Sequence, residues 1–349
     1  METKTVSRST QMVEIQGRQL QLSNLDKVLY PEAGFSKGQV IDYYVRVAPA
    51  LLPHLHDRPL TMKRYPNGVS GQFFYEKNCP SHRPEWVQTA AVWSQGNNRY
   101  MNYCLVQDLP TLVWAANLAD IELHTSLSLG KEILQPTMLV FDLDPGPPAN
   151  IVQCCQVGLW VREIFEHFGL QCFAKTSGSK GLQVYVPLNT PATYEQTKPV
   201  ANAIARHLEH EHPELVLSDM KKTLRVNKVL VDWSQNDDHK TTICVYSLRA
   251  KERPTVSTPV EWAEVERCLA KKDPKLLVFD SDDVLKRVEA KGDLFEPVLK
   301  LKQKLPALGA VEGEKEEVAT PQRKHTVPKT AEVLRSRTPR RSSRRARSG

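Results

Sequence analysis

The chain has 349 residues, 40% hydrophobic and 25% charged, a composition that supports a substantial core of ordinary globular type. No apolar run approaches the roughly 18 residues a membrane span needs, and the polar start METKTVSRST lacks the apolar stretch of a signal peptide, so no membrane association and a cytoplasmic, nucleoid-associated location are expected. The formal charge of +7 is concentrated in the tail: from Gln322 onward ten Lys and Arg face the single acid Glu332, a net +9, which leaves the preceding 321 residues at −2.

That tail, ending RSRTPRRSSRRARSG, is rich in Ser, Pro and Arg without an apolar period. It reads as a disordered basic arm over residues 304–349, able to displace counterions from a nucleic-acid backbone, or more simply as a solubilising tail. Residues 1–11 read as a second disordered end. The seven cysteines (Cys79, Cys104, Cys154, Cys155, Cys172, Cys244 and Cys268) contain no CxxC pair and mostly sit in apolar surroundings, so neither a disulfide nor a zinc site is expected.

Ser36 and Gln39 form a capping-box pattern, and Val40, Tyr44, Val47 and Leu51 recur on one helical face, which predicts a helix from about Lys37. LTMKRYP and FFYEKN read as two strands around the Asn67-Gly68 turn. RYMNYCLVQD reads as a strand, and LPTLVWAANLADIELH as a helix delivering His124 at its C-terminal end. TMLVFDLD is a strand and NIVQCCQVGLWVREIFEHFGL a helix; CFAKT and LQVYVPL are strands bracketing SGSKG. TYEQTKPVANAIARHLEHEH predicts another helix, KVLVDWS and TTICVYSLR a pair of strands across the turn QNDDHK, and two helical segments follow, with order ending near Leu305. Helices packed on partly antiparallel strands imply an α+β fold.

In MLVFDLDPGPP, alternation puts Asp142 and Asp144 on one strand face while Phe141 and Leu143 point into the core. Bare carboxylates about 6 Å apart repel by roughly 3 kcal/mol at an effective dielectric near 20. A divalent cation, an arginine clamp, the N–H donors of the following turn or plain solvation would each relieve this. A third acid, Asp232, ends the apolar run of VLVDWSQN in the same way. Three such carboxylates suit two hard ions, Mn2+ or Mg2+, which promote in-line displacement at phosphorus. A glycosidase also pairs carboxylates, but it needs one raised pKa, for which the sequence gives no sign. KTSGSKG supplies the opposite charge: backbone N–H groups, Ser177 and Lys180 in a short Gly-containing loop suit a triphosphate, although the loop lacks Walker A spacing and has the simpler reading of a hairpin turn.

The ordered segments LSNLDKVLYPEAGFSKG, RPLTMKRYPNGV, FFYEKN, LVFDLDPG, KTSGSKGLQVYVPL, VDWSQN and KTTICVYSLR resemble the polymerase domain of bacterial DNA ligase D, in the archaeo-eukaryotic primase superfamily. The resemblance covers residues 12–303. It implies an RRM-like mixed sheet with flanking helices, and template-directed nucleotidyl transfer that fills or extends 3′ ends at double-strand breaks in non-homologous end joining. Two Mn2+ or Mg2+ ions are implied, with Mn2+ favoured and ribonucleotides often preferred. By the same resemblance Asp142, Asp144 and Asp232 are the metal ligands and catalytic acids. Ser177, Lys180 and His124 hold the incoming triphosphate, and Gln183, Gln235 and Arg249 are further nucleotide-site positions. Lys63 and an aromatic, Phe74 or Tyr75, contact the nucleotide. Lys27 and Lys37 grip a downstream DNA 5′-phosphate.

Two departures from the family stand out. Its SGxKGLH pattern ends here in Gln183, which keeps a donor but never titrates, so weakened triphosphate or transition-state stabilisation with intact metal binding is expected. No ligase or phosphoesterase module accompanies the domain in this sequence, so the implied partners are gapped or overhanging DNA ends, nucleoside triphosphates, Ku and a separate ligase. The rival readings are a non-catalytic DNA-end-binding or bridging protein that retains the fold, and a metal phosphoesterase. Deleting the residues after Gln322 is expected to weaken duplex-DNA binding at about 50 mM salt and to have little effect above about 200 mM. Equal binding of the two proteins in a low-salt titration removes the tail from DNA recognition.

Overall fold

A computed structural model describes residues 10–312. The disordered ends expected at residues 1–11 and 304–349 fall largely outside the described residues; Thr10 and Gln11 already belong to a strand, and a short helix lies beyond Leu305. The chain opens with two antiparallel pairs, β1 (Thr10–Ile15) with β2 (Arg18–Ser23) and β3 (Val28–Tyr30) with β4 (Phe35–Ser36). Helix α1 (Lys37–Leu55) starts at its capping box: Gln39 N–H donates to Ser36 Oγ at 3.3 Å and Ser36 N–H to Gln39 Oε1 at 2.8 Å. Val40, Tyr44, Val47 and Leu51 on its inner face are fully buried, and each such side chain contributes roughly 1.5–3 kcal/mol.

Next come β5 (Leu60–Arg64), β6 (Phe74–Glu76), β7 (Thr89–Ser94), β8 (Arg99–Cys104), α2 (Leu109–Asn117) and β9 (Asp120–Thr125). β5 and β6 pair antiparallel as the turn signal implies. The helix expected to run through to His124 stops at Asn117. Ala119 takes φ +58, a left-handed conformation that helices do not continue through, and the chain re-enters a sheet as β9. His124 is therefore delivered by a strand. The cysteine expectation also fails at one pair, since Cys79 and Cys104 form a disulfide. Cys104 lies opposite Leu60 on β5, and Cys79 N–H donates to Asn102 O at 2.6 Å, so strand pairing brings together two thiols 25 residues apart that share no sequence motif.

The remaining elements are β10 (Met138–Pro145), α3 (Ile151–His167), β11 (Phe173–Thr176), β12 (Leu182–Pro187), α4 (Tyr194–Glu211), β13 (Val216–Leu217), β14 (Val229–Asp232), β15 (Thr242–Ile243), β16 (Pro259–Val260), α5 (Trp262–Lys271), α6 (Ser281–Lys291), α7 (Pro297–Lys300) and α8 (Leu308–Glu312). One sheet has the order β13-β14-β10-β12-β11-β16, antiparallel except for β13 with β14. The other has the order β15-β9-β5-β8-β7, with β6 also on β5. β14 and β15 were expected to pair, but each finds a different sheet: β14 sits on β10 and β15 on β9. Thus QNDDHK is a crossing between sheets rather than a hairpin turn.

Leu139, Phe141 and Leu143 of β10 are fully buried in a core shared with α3 and α4. The second core lies between α1, α2 and the β5/β9 sheet. Tyr44 on α1 fixes that sheet to the chain beyond it: its hydroxyl donates to Ile121 O at 2.6 Å and accepts from Leu248 N–H at 3.1 Å. This bond pair holds β9 beside residues 248–250. Closing a 25-residue loop stabilises a domain by about 3 kcal/mol in the chain-entropy model. Reduction with dithiothreitol is accordingly expected to lower the denaturation midpoint, and a Cys79→Ser/Cys104→Ser variant to be indifferent to reductant; equal sensitivity of both proteins would refute the bond's contribution.

Candidate active site

The acids form a row set by strand register. Asp142 lies directly opposite Asp232 on β14 and directly opposite Gln183 on β12, and Gln183 lies opposite Lys175 on β11. Directly opposed residues of an antiparallel pair share a face, so Asp232, Asp142, Gln183 and Lys175 line one face across four strands. Asp144 joins them two residues along β10. The other face of β10 is apolar core, and the carboxylates have no route into it.

Each acid is compensated differently. Asp144 accepts from Lys180 Nζ at 2.9 Å and Arg225 Nη1 at 3.1 Å, the arginine clamp among the sequence-level alternatives. Asp232 accepts from Ser234 N–H at 2.9 Å, Ser234 Oγ at 2.6 Å and Gln235 Nε2 at 2.9 Å, so Gln235 acts here by holding a carboxylate. Asp142 is the least satisfied. Burial pushes its carboxyl up to about 6; the Gln183 hydrogen bond draws it down and the charges of Asp232 and Asp144 push it further up. A raised carboxyl was not legible in the sequence, because the shift comes from a depth and cross-strand neighbours that only pairing creates. Among the described residues, the group of ligand atoms lying within 4.8 Å of one another is Asp237, Asp238 and His239, at the rim of the same cleft, where Asp237 already pairs with Lys198 at 2.5 Å.

The KTSGSKG loop is built around Ser177. Its Oγ accepts from Gly181 N–H at 3.1 Å and Ser179 N–H at 3.3 Å, and its carbonyl accepts from Arg249 Nη1 at 2.8 Å. Two glycines are required sterically: a Cβ on Gly178, at φ +66, would lie 2.5 Å from the Val256 backbone, and one on Gly181 would lie 2.3 Å from Leu143 O. The loop can therefore pack directly against β10 beside the acid row.

The opposing sheet carries a cationic group gathered by one buried carboxylate. Glu122 of β9 meets Lys63 Nζ at 3.2 Å, His124 Nε2 at 3.1 Å and Arg249 Nε at 3.4 Å, and accepts from Ala250 N–H at 3.0 Å. Burial alone would raise its carboxyl, but the bond from His124 and the charges of Arg249 and Lys63 outweigh it and hold Glu122 well below the carboxylate range. His124 is lowered by its own burial, despite the bond to Glu122. Tyr75 faces this group, its ring 6.0 Å from that of His124 with Lys63 Nζ 5.6 Å from its centroid. Phe74, the next residue back on β6, points the other way and packs under Arg64 at 5.1 Å. A cleft of about 610 Å3 separates the two sheets and is lined by His124, Tyr75, Asp142, Asp144, Ser177, Lys180, Gln183, Gln235 and Arg249.

Lys27 and Lys37 lie outside the lining of this cleft. Lys27 is exposed, reaching Asn67 Oδ1 at 3.4 Å; Lys37 is buried, donates to Ser23 O at 2.6 Å, and is pushed down to about 8 by burial and then by the charges of Lys27 and Arg64. Lys27 and Arg64 thus lie near enough to Lys37 for their charges to act on it.

A family model for the LigD primase-polymerase domain matches residues 36–295. The chain is 38% identical to the multifunctional non-homologous end joining protein LigD of Mycolicibacterium smegmatis, over 80% of this chain and 36% of that protein. It is 32% identical to the bifunctional end-joining LigD of Bacillus subtilis, over 78% of this chain and 43% of that protein. A solved polymerase domain of Mycobacterium tuberculosis ligase D, in complex with DNA, superposes with a TM-score of 0.75 at 38% identity, covering 81% of this chain and 99% of that one. The chain belongs to the LigD primase-polymerase domain family. It spans little more than a third of the mycobacterial LigD it matches, and its mixed α+β architecture is of the archaeo-eukaryotic primase type.

Three side chains of this LigD-type site were not singled out in the sequence. Glu122 stands inside the IELH segment but reads there as one more residue of the expected helix; Arg225 belongs to an irregular stretch; Lys175 reads as a strand residue beside the SGSKG turn. Each acquires its role only through a partner more than 50 residues away, or across a strand pair.

Because Asp142 ionises less readily folded than unfolded, it costs the protein stability at neutral pH. The cost is absent below about pH 4, grows as pH rises and is complete above about 6, reaching about 3 kcal/mol. Asp142→Asn is therefore expected to stabilise the chelator-treated protein in urea unfolding at pH 7.5 and to leave it unchanged at pH 4. Equal stabilisation at both values would show that the charge is not the cause.

Proposed function

We propose that this domain transfers nucleotides to the 3′ ends of broken or gapped DNA under template direction, as part of end joining. The observation carrying this reading is one cleft lined on one side by Asp142 and Asp144 and on the other by His124 and Arg249, which Glu122 gathers together with Lys63. An acid-lined cleft alone would repel a nucleoside triphosphate, and a basic one alone would bind it without activating anything. Their meeting supplies both a place for the polyphosphate and carboxylates beside it.

The donor chemistry suits hard divalent cations, since all three groups are carboxylates and Asp142 is left electrostatically unsatisfied, although the three do not come within 4.8 Å of one another as they stand, with Asp144 held by Lys180 and Arg225 and Asp232 by its own turn. Asp142, Asp144 and Asp232 would hold Mn2+ or Mg2+, which when bound supply Lewis-acid activation of the 3′-hydroxyl and neutralisation of charge on the leaving pyrophosphate. The chain's own groups do the positioning. Ser177 and the backbone N–H groups of its loop, with Lys180 and Arg249, would receive the triphosphate oxygens. Lys63 and His124, already anchored by Glu122, present donors from the opposite wall. Tyr75 offers the ring face on which a base can stack, worth about 1–3 kcal/mol; Phe74 is directed away from that position. Gln235 keeps the Asp232 carboxylate aimed at the row. Lys27 and Lys37 would receive a downstream 5′-phosphate as compact point charges, and Ku and a separate ligase would supply end capture and sealing.

Primer extension on a gapped duplex with Mn2+, run separately with ribo- and deoxyribonucleotides, tests this reading. Wild type should extend, and Asp142→Ala and Asp232→Ala should each lose about a hundred- to a thousandfold in rate, as is typical when one charge-stabilising group is removed. Duplex binding without extension by the wild type would instead favour a non-catalytic end-bridging protein, and nucleotide consumption independent of template a phosphoesterase.

A further inference from the structure

We propose that Lys175 is a positioning residue of the cleft: by engaging Gln183 Oε1 it fixes the amide of Gln183 so that its NH2 group, and never its carbonyl, faces Asp142 and the incoming phosphates. The inference rests on the polymerase reading above and concerns how this chain manages without the histidine that the family carries at the Gln183 position.

Lys175 is a strand-interior lysine with 1% of its surface exposed, and it makes no ion pair with any described carboxylate. Its ammonium has three hydrogens and meets three acceptors: Gln183 Oε1 at 2.5 Å, Ser257 Oγ at 2.7 Å and Ile243 O at 3.0 Å. Ser257 Oγ spends its own hydrogen on Thr176 O at 2.9 Å, which leaves it to accept from the lysine. Every neighbour of the ammonium is thus obliged to accept, and the Gln183 amide can meet that demand only with its oxygen. The Tyr185 hydroxyl, 3.4 Å from the same Oε1, lies on the same side. The NH2 end is then directed along the row toward Asp142, the direct cross-strand neighbour of Gln183. The amide has a second hydrogen, and the side chain lines the cleft.

A glutamine on a site wall is ordinarily ambiguous, since rotation by 180° exchanges donor for acceptor. Facing a carboxylate and a polyphosphate, the carbonyl orientation would oppose oxygen to oxygen. Burial pushes the Lys175 amine down to about 7, and while it is protonated a charged anchor behind the amide removes that orientation. Burying a lysine that has no counter-ion is costly even when all its hydrogens are donated, and apolar residues in place of the lysine and its acceptors together would avoid that cost. The lysine's retention is explained if what it contributes is direction rather than stability.

The consequence is a coupling that a merely structural lysine would not show. Lys175→Met keeps the stem and removes the anchor; it leaves three buried acceptors without a donor, so some loss of stability to urea is expected, and the folded protein should bind nucleoside triphosphate with Mn2+ roughly tenfold more weakly, the scale of one hydrogen bond to a charged group. In a Gln183→His background, where a ring replaces the reversible amide, Lys175→Met should change binding less than twofold. In the chelator-treated protein, the side-chain NH2 resonances of Gln183 should be two separate, exchange-protected signals in wild type and averaged or unprotected in Lys175→Met. Gln183→Glu, which keeps the lysine anchored but removes the donor, should also lose about tenfold or more, and serves if Lys175→Met fails to fold. Equal losses from Lys175→Met in both backgrounds, unchanged Gln183 resonances, or undiminished binding by Gln183→Glu would overturn the proposal. The binding and resonance measurements need no polymerisation, so failure of wild type to extend a primer would count against the polymerase reading alone.

Discussion

The repulsion among carboxylates on one sheet face is the constraint around which this molecule is arranged. At a separation of about 6 Å it is worth roughly 3 kcal/mol per pair, and strand register fixes it in place: β10 lies between β14 and β12, so Asp142 cannot leave Asp232 without breaking the ladder. The apolar face of β10 forbids the alternative, since a one-residue slip would drive Asp142 and Asp144 into the α3/α4 core and bring Phe141 and Leu143 to the cleft. The packing that stabilises the fold thus enforces the unfavourable charge arrangement. Asp144 is neutralised by Lys180 and Arg225 and Asp232 by the turn that follows it, while Asp142 keeps most of the strain.

Across the cleft the logic is inverted. There a single buried acid, Glu122, stabilises two cations that would otherwise repel one another, Lys63 and Arg249, and also takes the bond from the His124 imidazole, the three reaching it from separated parts of the chain. Breaking such a buried arrangement by removing one partner generally costs more than the arrangement contributes as a whole. Tyr44 connects this charge group to the hydrophobic core, because its hydroxyl bridges β9 and the segment leading to Arg249. The geometry of the cationic wall is in this sense a product of helix α1 packing, far from any charge.

The two sheets therefore divide the work by sign, and the cleft between them is where a polyanionic substrate and a set of carboxylates can coexist. Membership of the LigD primase-polymerase family agrees with that division. At Gln183 the acid row meets a buried lysine, so the row Asp232, Asp142, Gln183, Lys175 runs as a charge gradient across four strands.

The sequence by itself determined the features with short-range physical causes. The capping box placed the start of α1, alternation put Asp142 and Asp144 on one face, the Asn67-Gly68 signal placed a turn, and ordered motifs carried the family resemblance. Where tertiary structure decided, the cause was a partner distant along the chain. His124 came from a strand because Ala119 turned left-handed; β14 and β15 parted to different sheets; Cys79 met Cys104 through pairing with β5; and Tyr75 rather than Phe74 faced the cleft because of the register of β6 on β5. The perturbed carboxyl of Asp142, the hub at Glu122 and the grip of Lys175 on Gln183 arise the same way. Charge, burial and hydrogen-bond direction are properties of neighbourhoods, and a linear chain specifies its neighbourhoods only once it has folded.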